Sequence, residues 1–113
     1  STPMSAKMAA DDTVESQEGR VWHRRKGRIY TLGVTDAAIG DIGRPDTIDF
    51  PDDDETYDEG ETIVLLDGPA GQLEVACPLR GTVVEVNHEA KEDPEVVAED
   101  PLEGCWLVRL EIR

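Results

Sequence analysis

The chain has 113 residues, with 26 acidic and 11 basic side chains and a formal charge of −15 at pH 7. A chain of this length holds one modest core, and with 38% hydrophobic but only 4% aromatic residues that core must be mostly Val, Leu, Ile and Ala. The negative surplus excludes nucleic acid and anionic membranes as partners, because the electrostatic contribution to binding would be repulsive. No apolar run approaches a membrane span and no basic-then-apolar secretory signal opens the chain, so the expected location is the cytoplasm.

Residues 1–19 are small, polar and without periodicity, which predicts a disordered tail, and Ser1-Thr2-Pro3 ahead of Met4 reads as an expression remnant. Residues 20–113 are expected to form one domain, with structure beginning near Val21-Trp22. Arg20 to Arg28 carries five basic residues and no acidic one. Two readings of this patch stand: solvated hairpin residues that offset an acidic surface, or a docking site for an acidic partner at Arg24, Arg25 and Lys26.

Tyr30, Leu32 and Val34 alternate with Ile29, Thr31 and Gly33, which predicts a strand with one apolar face. Thr35-Asp36 then caps a short helix, Ala37-Ala38-Ile39, ended by Gly40. Ile48 to Pro51 suits a brief edge strand. Residues 46–61 carry nine acidic side chains and no basic one, but no register supplies the ligand spacing of a calcium loop, so a solvated acidic loop is expected.

Thr62 to Leu66 is apolar almost throughout, as in a strand covered on both faces, whereas Leu73, Val75 and Cys77 alternate with Gln72, Glu74 and Ala76. Between them Asp67-Gly68-Pro69-Ala70-Gly71 forms a tight tip. Pro69 fixes φ at the second position of a four-residue turn and Gly71 suits the fourth position of type I. Thr82 to Val86 is a further strand, and Pro94 to Glu99 is a short helix with the proline at its first position. Cys105 to Ile112 ends the pattern, with Trp106, Val108, Leu110 and Ile112 on one face. The predicted fold class is β-rich, a barrel or sandwich with short helices.

No catalytic set emerges. Serine occurs only at positions 1, 5 and 16, and there is neither a Walker lysine nor a GxGxxG after a strand. Cys77 and Cys105 read as small buried hydrophobes. A metal or redox protein using them with His23 and His88 is an alternative without recognisable ligand spacing, and no metal site is assigned. The inventory suits a carrier, adaptor or scaffold rather than an enzyme.

Three segments carry a resemblance: Val84 to Asn87, Glu92 to Pro101, and Gly104 to Leu110. Together with Gly33-Val34-Thr35-Asp36-Ala37, Gly40-Asp41 and Phe50-Pro51, they resemble the glycine cleavage system H-protein family over about residues 21–112. The resemblance implies the flattened barrel-sandwich hybrid of lipoyl and biotinyl domains, two small antiparallel sheets. It also implies protein partners, the decarboxylase, aminomethyltransferase and dehydrogenase components, served by a lipoyl arm on a hairpin-tip lysine.

Counting back from Cys77-Pro78, which resembles the family's Ala-Pro, the acceptor position falls at Ala70, with Asp67 in place of the motif's glutamate. Residues 61–81 contain no lysine; those of the chain are Lys7, Lys26 and Lys91. Lipoylation forms an amide with a lysine amine, so no covalent lipoate is expected. The flanks of Ala70 differ from the motif as well, which reads as divergence rather than a point substitution. The family also continues into a C-terminal helix where this sequence stops at Arg113, which weakens the expectation of docking in the family's usual way. The expected function is a non-catalytic binding or scaffold module of this family; the alternative is participation in glycine cleavage or another lipoate-dependent system through partner docking.

Overall fold

The structure is a computed structural model that describes residues 13–99 and 105–113. The first strands form two hairpins, β1 (Thr13–Ser16) with β2 (Val21–Lys26) and β2 with β3 (Ile29–Val34). Alternation along β2 sends Val21 into the core and Trp22 to the other face of the sheet. There the indole lies over its cross-strand partner Gly33, where a Cβ would come within 2.4 Å of the ring. That close approach, not a turn, is what position 33 requires of glycine.

β1 corrects the expected extent of the tail. Strand structure begins at Thr13, not near Val21, and residues 1–12 lie outside the described residues. The strand has no apolar alternation to read, because it is held by backbone pairing to β2 and by the residue that follows it. Gln17, at φ 55°, reaches the end of a distant strand: its amide nitrogen donates to the Ala76 carbonyl (3.0 Å) and its oxygen accepts from the Ala76 N–H (2.9 Å).

Helix α1 (Asp36–Ile42) is capped as expected by Thr35, whose hydroxyl accepts from the Ala38 N–H. Gly40 does not end it. The helix runs on to bury Ile42 and stops at Gly43, whose φ of 81° no other residue type adopts cheaply and whose N–H bonds the Ile39 carbonyl at 2.7 Å.

Next come β4 (Thr47–Asp49), β5 (Thr56–Tyr57), β6 (Thr62–Gly68) and β7 (Gly71–Ala76). The acidic stretch is interrupted at β5, which pairs with β8 (Gly81–Val86) and joins Thr56 to Thr82 through their hydroxyls at 2.8 Å. β6 is not covered on both faces: a bulge between Thr62 and Val64 turns Ile63 and Val64 inward together, which reads in sequence as an apolar run.

After β8, Asn87 caps an unanticipated helix α2 (His88–Glu92), accepting from the N–H groups of Glu89 and Ala90. Pro94 precedes, rather than opens, the single turn α3 (Val96–Glu99), whose first N–H already bonds the Asp93 carbonyl.

β9 (Val108–Ile112) completes a six-stranded antiparallel sheet in the order β1-β2-β3-β9-β8-β5, packed on a three-stranded sheet β4-β6-β7. The sheets are therefore unequal, because β1 and β5 extend both edges of the larger one. Leu32, Leu66, Leu107 and Leu110 are fully buried among the valines. The expected face of the last segment holds only from Val108 onward. Leu107 donates its N–H to the Leu32 carbonyl and enters the core one residue out of phase, while Trp106 stays half-exposed under the Arg109 guanidinium, 4.0 Å from the ring centre.

Candidate functional site

The candidate site is the β6–β7 tip of the smaller sheet. The strands close at Gly68↔Gly71, so Pro69 and Ala70 alone form the loop and both are exposed. Two-residue hairpins usually take primed turns with positive φ, which a proline ring forbids. Neither Pro69 nor Ala70 is among the described residues with positive φ.

The tip is instead held from outside the hairpin. The Ala70 N–H donates to the Ile42 carbonyl at 2.9 Å, one of the helix C-terminal carbonyls that has no partner within the helix. The Pro69 ring lies against Gly43, where a Cβ would stand 2.8 Å from Cγ. Gly68 sits so close to the end of α1 that a Cβ would fall 2.3 Å from the same Ile42 oxygen. Asp67 accepts from the Asp46 N–H at 2.7 Å. The five tip residues are thus seated on the last turn of α1 and the segment after it. Sequence reasoning placed the turn but missed this seat, for which the only local signal was the Gly43-Arg44-Pro45 run after the helix.

The chemistry of this tip does not fit a covalently held lipoyl group. That amide needs a primary amine, and no lysine lies between Thr62 and Ala76. Lys26 stands at the tip of the β2–β3 hairpin and Lys91 in α2.

The basic patch is split by strand alternation. Arg24 and Lys26 share one face of β2 and Arg25 the other, where it stacks on Tyr30 at 5.7 Å. Arg24 lies over Trp22 at 5.1 Å and donates to the Thr13 hydroxyl at 3.1 Å. Arg20 belongs to the opposite end of β2: its guanidinium pairs with Asp41 (2.6 Å) beside the Ala70 seat, so the length of β2 separates the basic hairpin tip from the Ala70 tip.

The cysteines and histidines do not converge. Cys77 and Cys105 are both buried. Cys77 donates to the Leu79 carbonyl, and burial pushes its thiol up to about 11, with Glu61, Asp58 and Glu59 adding to the shift. Cys105 lies beside Asn87, whose amide reaches its sulfur at 3.9 Å. His23 stacks on Tyr30 with ring centres 5.3 Å apart, and burial lowers its pKa. His88 is exposed at the start of α2. Among the described residues no group of three or more His, Cys, Asp or Glu side chains is arranged to hold a metal.

Two antiparallel sheets packed as a flattened barrel, with few short helices and a hairpin tip at one end, define a lipoyl-domain-like barrel-sandwich fold. The family model for the glycine cleavage H-protein matches residues 13–113. Glycine cleavage system H proteins of Staphylococcus haemolyticus and Staphylococcus epidermidis are each 30% identical over 105 residues, covering 93% of this chain and 83% of theirs. The crystal structure of a glycine cleavage system H protein from Mycobacterium marinum shares the fold at a TM-score of 0.80 and 24% identity, over 89% of this chain and 84% of that one. This chain belongs to the glycine cleavage H-protein family.

Proposed function

We propose that this family member works in the cytoplasm as a non-catalytic binding module that carries no lipoyl arm. The observation that carries the reading is the β6–β7 tip, where the family resemblance puts the acceptor: Ala70 stands there, and its backbone N–H is committed to the end of α1. A swinging arm needs a nucleophilic amine at an unencumbered tip. This tip has a methyl group on a seated turn. Incubating the protein with lipoate ligase, lipoate and ATP and weighing it intact is expected to give no mass change; a gain of one lipoyl group would overturn the proposal.

A second reading, docking on glycine cleavage enzymes without carrying their intermediate, is favoured by the match of the family model over residues 13–113. H proteins act by visiting these enzymes, and the hairpin end offers the exposed cations Arg25 and Lys26, with the half-buried Arg24 beside them, to an acidic partner. A pull-down against the cleavage components, repeated with all three reversed to glutamate, separates the two readings. Wild-type binding lost on reversal supports docking through the hairpin, and absence of any binding at low salt removes it.

A further inference from the structure

The geometry points to the free edge of β7 as a docking site for an extended, basic segment of a partner protein, added as a fourth strand to the smaller sheet. The proposal goes beyond the reading of the tip, because it holds whether or not Ala70 could carry an arm.

Among the described residues β7 is an edge strand paired by β6 alone, with the end of α1 packed beside Gly71. Successive residues of a strand direct their N–H and C=O groups to alternate sides. Cys77 uses its backbone groups on the β6 side, bonding Glu61 and Gly60, so Ala76, Glu74 and Gln72 direct theirs outward. Ala76 already shows what this edge accepts. The Gln17 carboxamide both donates to and accepts from its backbone, as a peptide group of a neighbouring strand would. At the other end the Ala70 N–H is taken by Ile42.

Between these two clamps the outward backbone groups of Gln72 and Glu74 have no partner among the described residues. They lie about 7 Å apart, the repeat at which an added strand pairs. Unpaired groups of this kind recruit other strands unless they are blocked.

Charge selects the occupant. The side chains of Gln72 and Glu74 are exposed; Glu74 places a carboxylate on the edge itself and Asp67 one beside Gln72 on the neighbouring β6, in a chain whose net charge is −15. A second copy would bring Glu74 and the whole negative surplus against themselves. An extended segment with alternating lysines meets the same carboxylates with opposite charge.

The test uses the full chain with acetyl-Lys-Val-Lys-Val-Lys-Val-amide as the probe and amide hydrogen exchange as the readout. A control peptide of the same sequence is N-methylated at alternate backbone nitrogens, so it keeps the charge and loses the edge donors. The first peptide is expected to slow exchange at Gln72 and Glu74 by about tenfold or more, as strand pairing does, with no slowing by the control. Glu74→Lys is expected to abolish the effect, and its folded state is checked by circular dichroism. Equal slowing by both peptides, no slowing at millimolar peptide, or protection that tracks protein concentration without peptide would each overturn the proposal, the last by identifying a second copy as the occupant.

Discussion

If the β6–β7 tip is seated on α1, the most damaging small substitution in it is Gly68→Ala. The added methyl group falls 2.3 Å from the Ile42 oxygen and 3.0 Å from its carbon, both backbone atoms that no rotamer change can move aside. Forcing that much volume into a packed contact costs about 1–3 kcal/mol. Lifting the tip to relieve it breaks the Ala70 to Ile42 hydrogen bond, worth about 1 kcal/mol. Alanine's smaller freedom in the unfolded chain offsets roughly 0.7 kcal/mol. The net expected loss is about 2 kcal/mol, which at a urea slope of about 2 kcal/mol per molar lowers the unfolding midpoint by about 1 M. Gly40→Ala is the control: a Cβ there meets nothing within 4 Å, so in the middle of α1 it should stabilise by about 0.5–1 kcal/mol. A Gly68→Ala midpoint within about 0.2 M of the parent, with an unchanged slope, would refute the seating.

Gln17→Asn keeps a side chain that tolerates positive φ but is one methylene too short to reach Ala76. Loss of the two bonds should cost about 1–2 kcal/mol and speed exchange of the Ala76 amide; unchanged exchange there would dismiss the clamp. Leu107→Ala empties a fully buried site and should cost about 2–5 kcal/mol in thermal or urea unfolding, although Leu107 lies outside any regular strand. Because burial raises the Cys77 thiol to about 11, the unfolded chain gives up that proton first. The associated stability is therefore intact below the ordinary thiol pKa of 9.0 and is lost as pH rises towards 11. Comparing urea midpoints of the parent and Cys77→Ala from pH 8 to 11 checks this: the alanine variant should show the shallower decline, with the remaining slope carried in part by Tyr57, raised to about 12.

What could be read in advance follows from where the stabilising contacts lie. β3 and β7 show their period in apolar residues, and the Thr35 cap is a local side-chain bond, so these were legible, whereas β2 reads Val-Trp-His-Arg-Arg-Lys and shows no such period. β1 was not, because Thr13–Ser16 is stabilised by pairing and by Gln17 bonding a residue 59 positions away. The bulge at Ile63 disguised a one-faced strand as a two-faced one, and Leu107 entered the core before regular pairing began. Of the candidate site, the turn chemistry of Pro69 and Ala70 was visible. Its seat was not, since Ile42 and Gly43 come from a helix that sequence alone ended at Gly40. The basic run looked like one patch because a linear reading does not separate the two faces of β2.

β9 is the latest of the described strands in chain order, yet it lies between β3 and β8, pairing Leu32 with Val108 on one side and Val83 with Leu110 on the other. During synthesis the larger sheet therefore emerges as two fragments, β1-β2-β3 and β8-β5, with no bond between them. Until Val108–Ile112 leaves the ribosome, both fragments present bare strand edges and the leucines of the core have no lid. Vectorial folding of the larger sheet must wait for β9, and a nascent chain stalled before residue 108 is the form that a chaperone would meet.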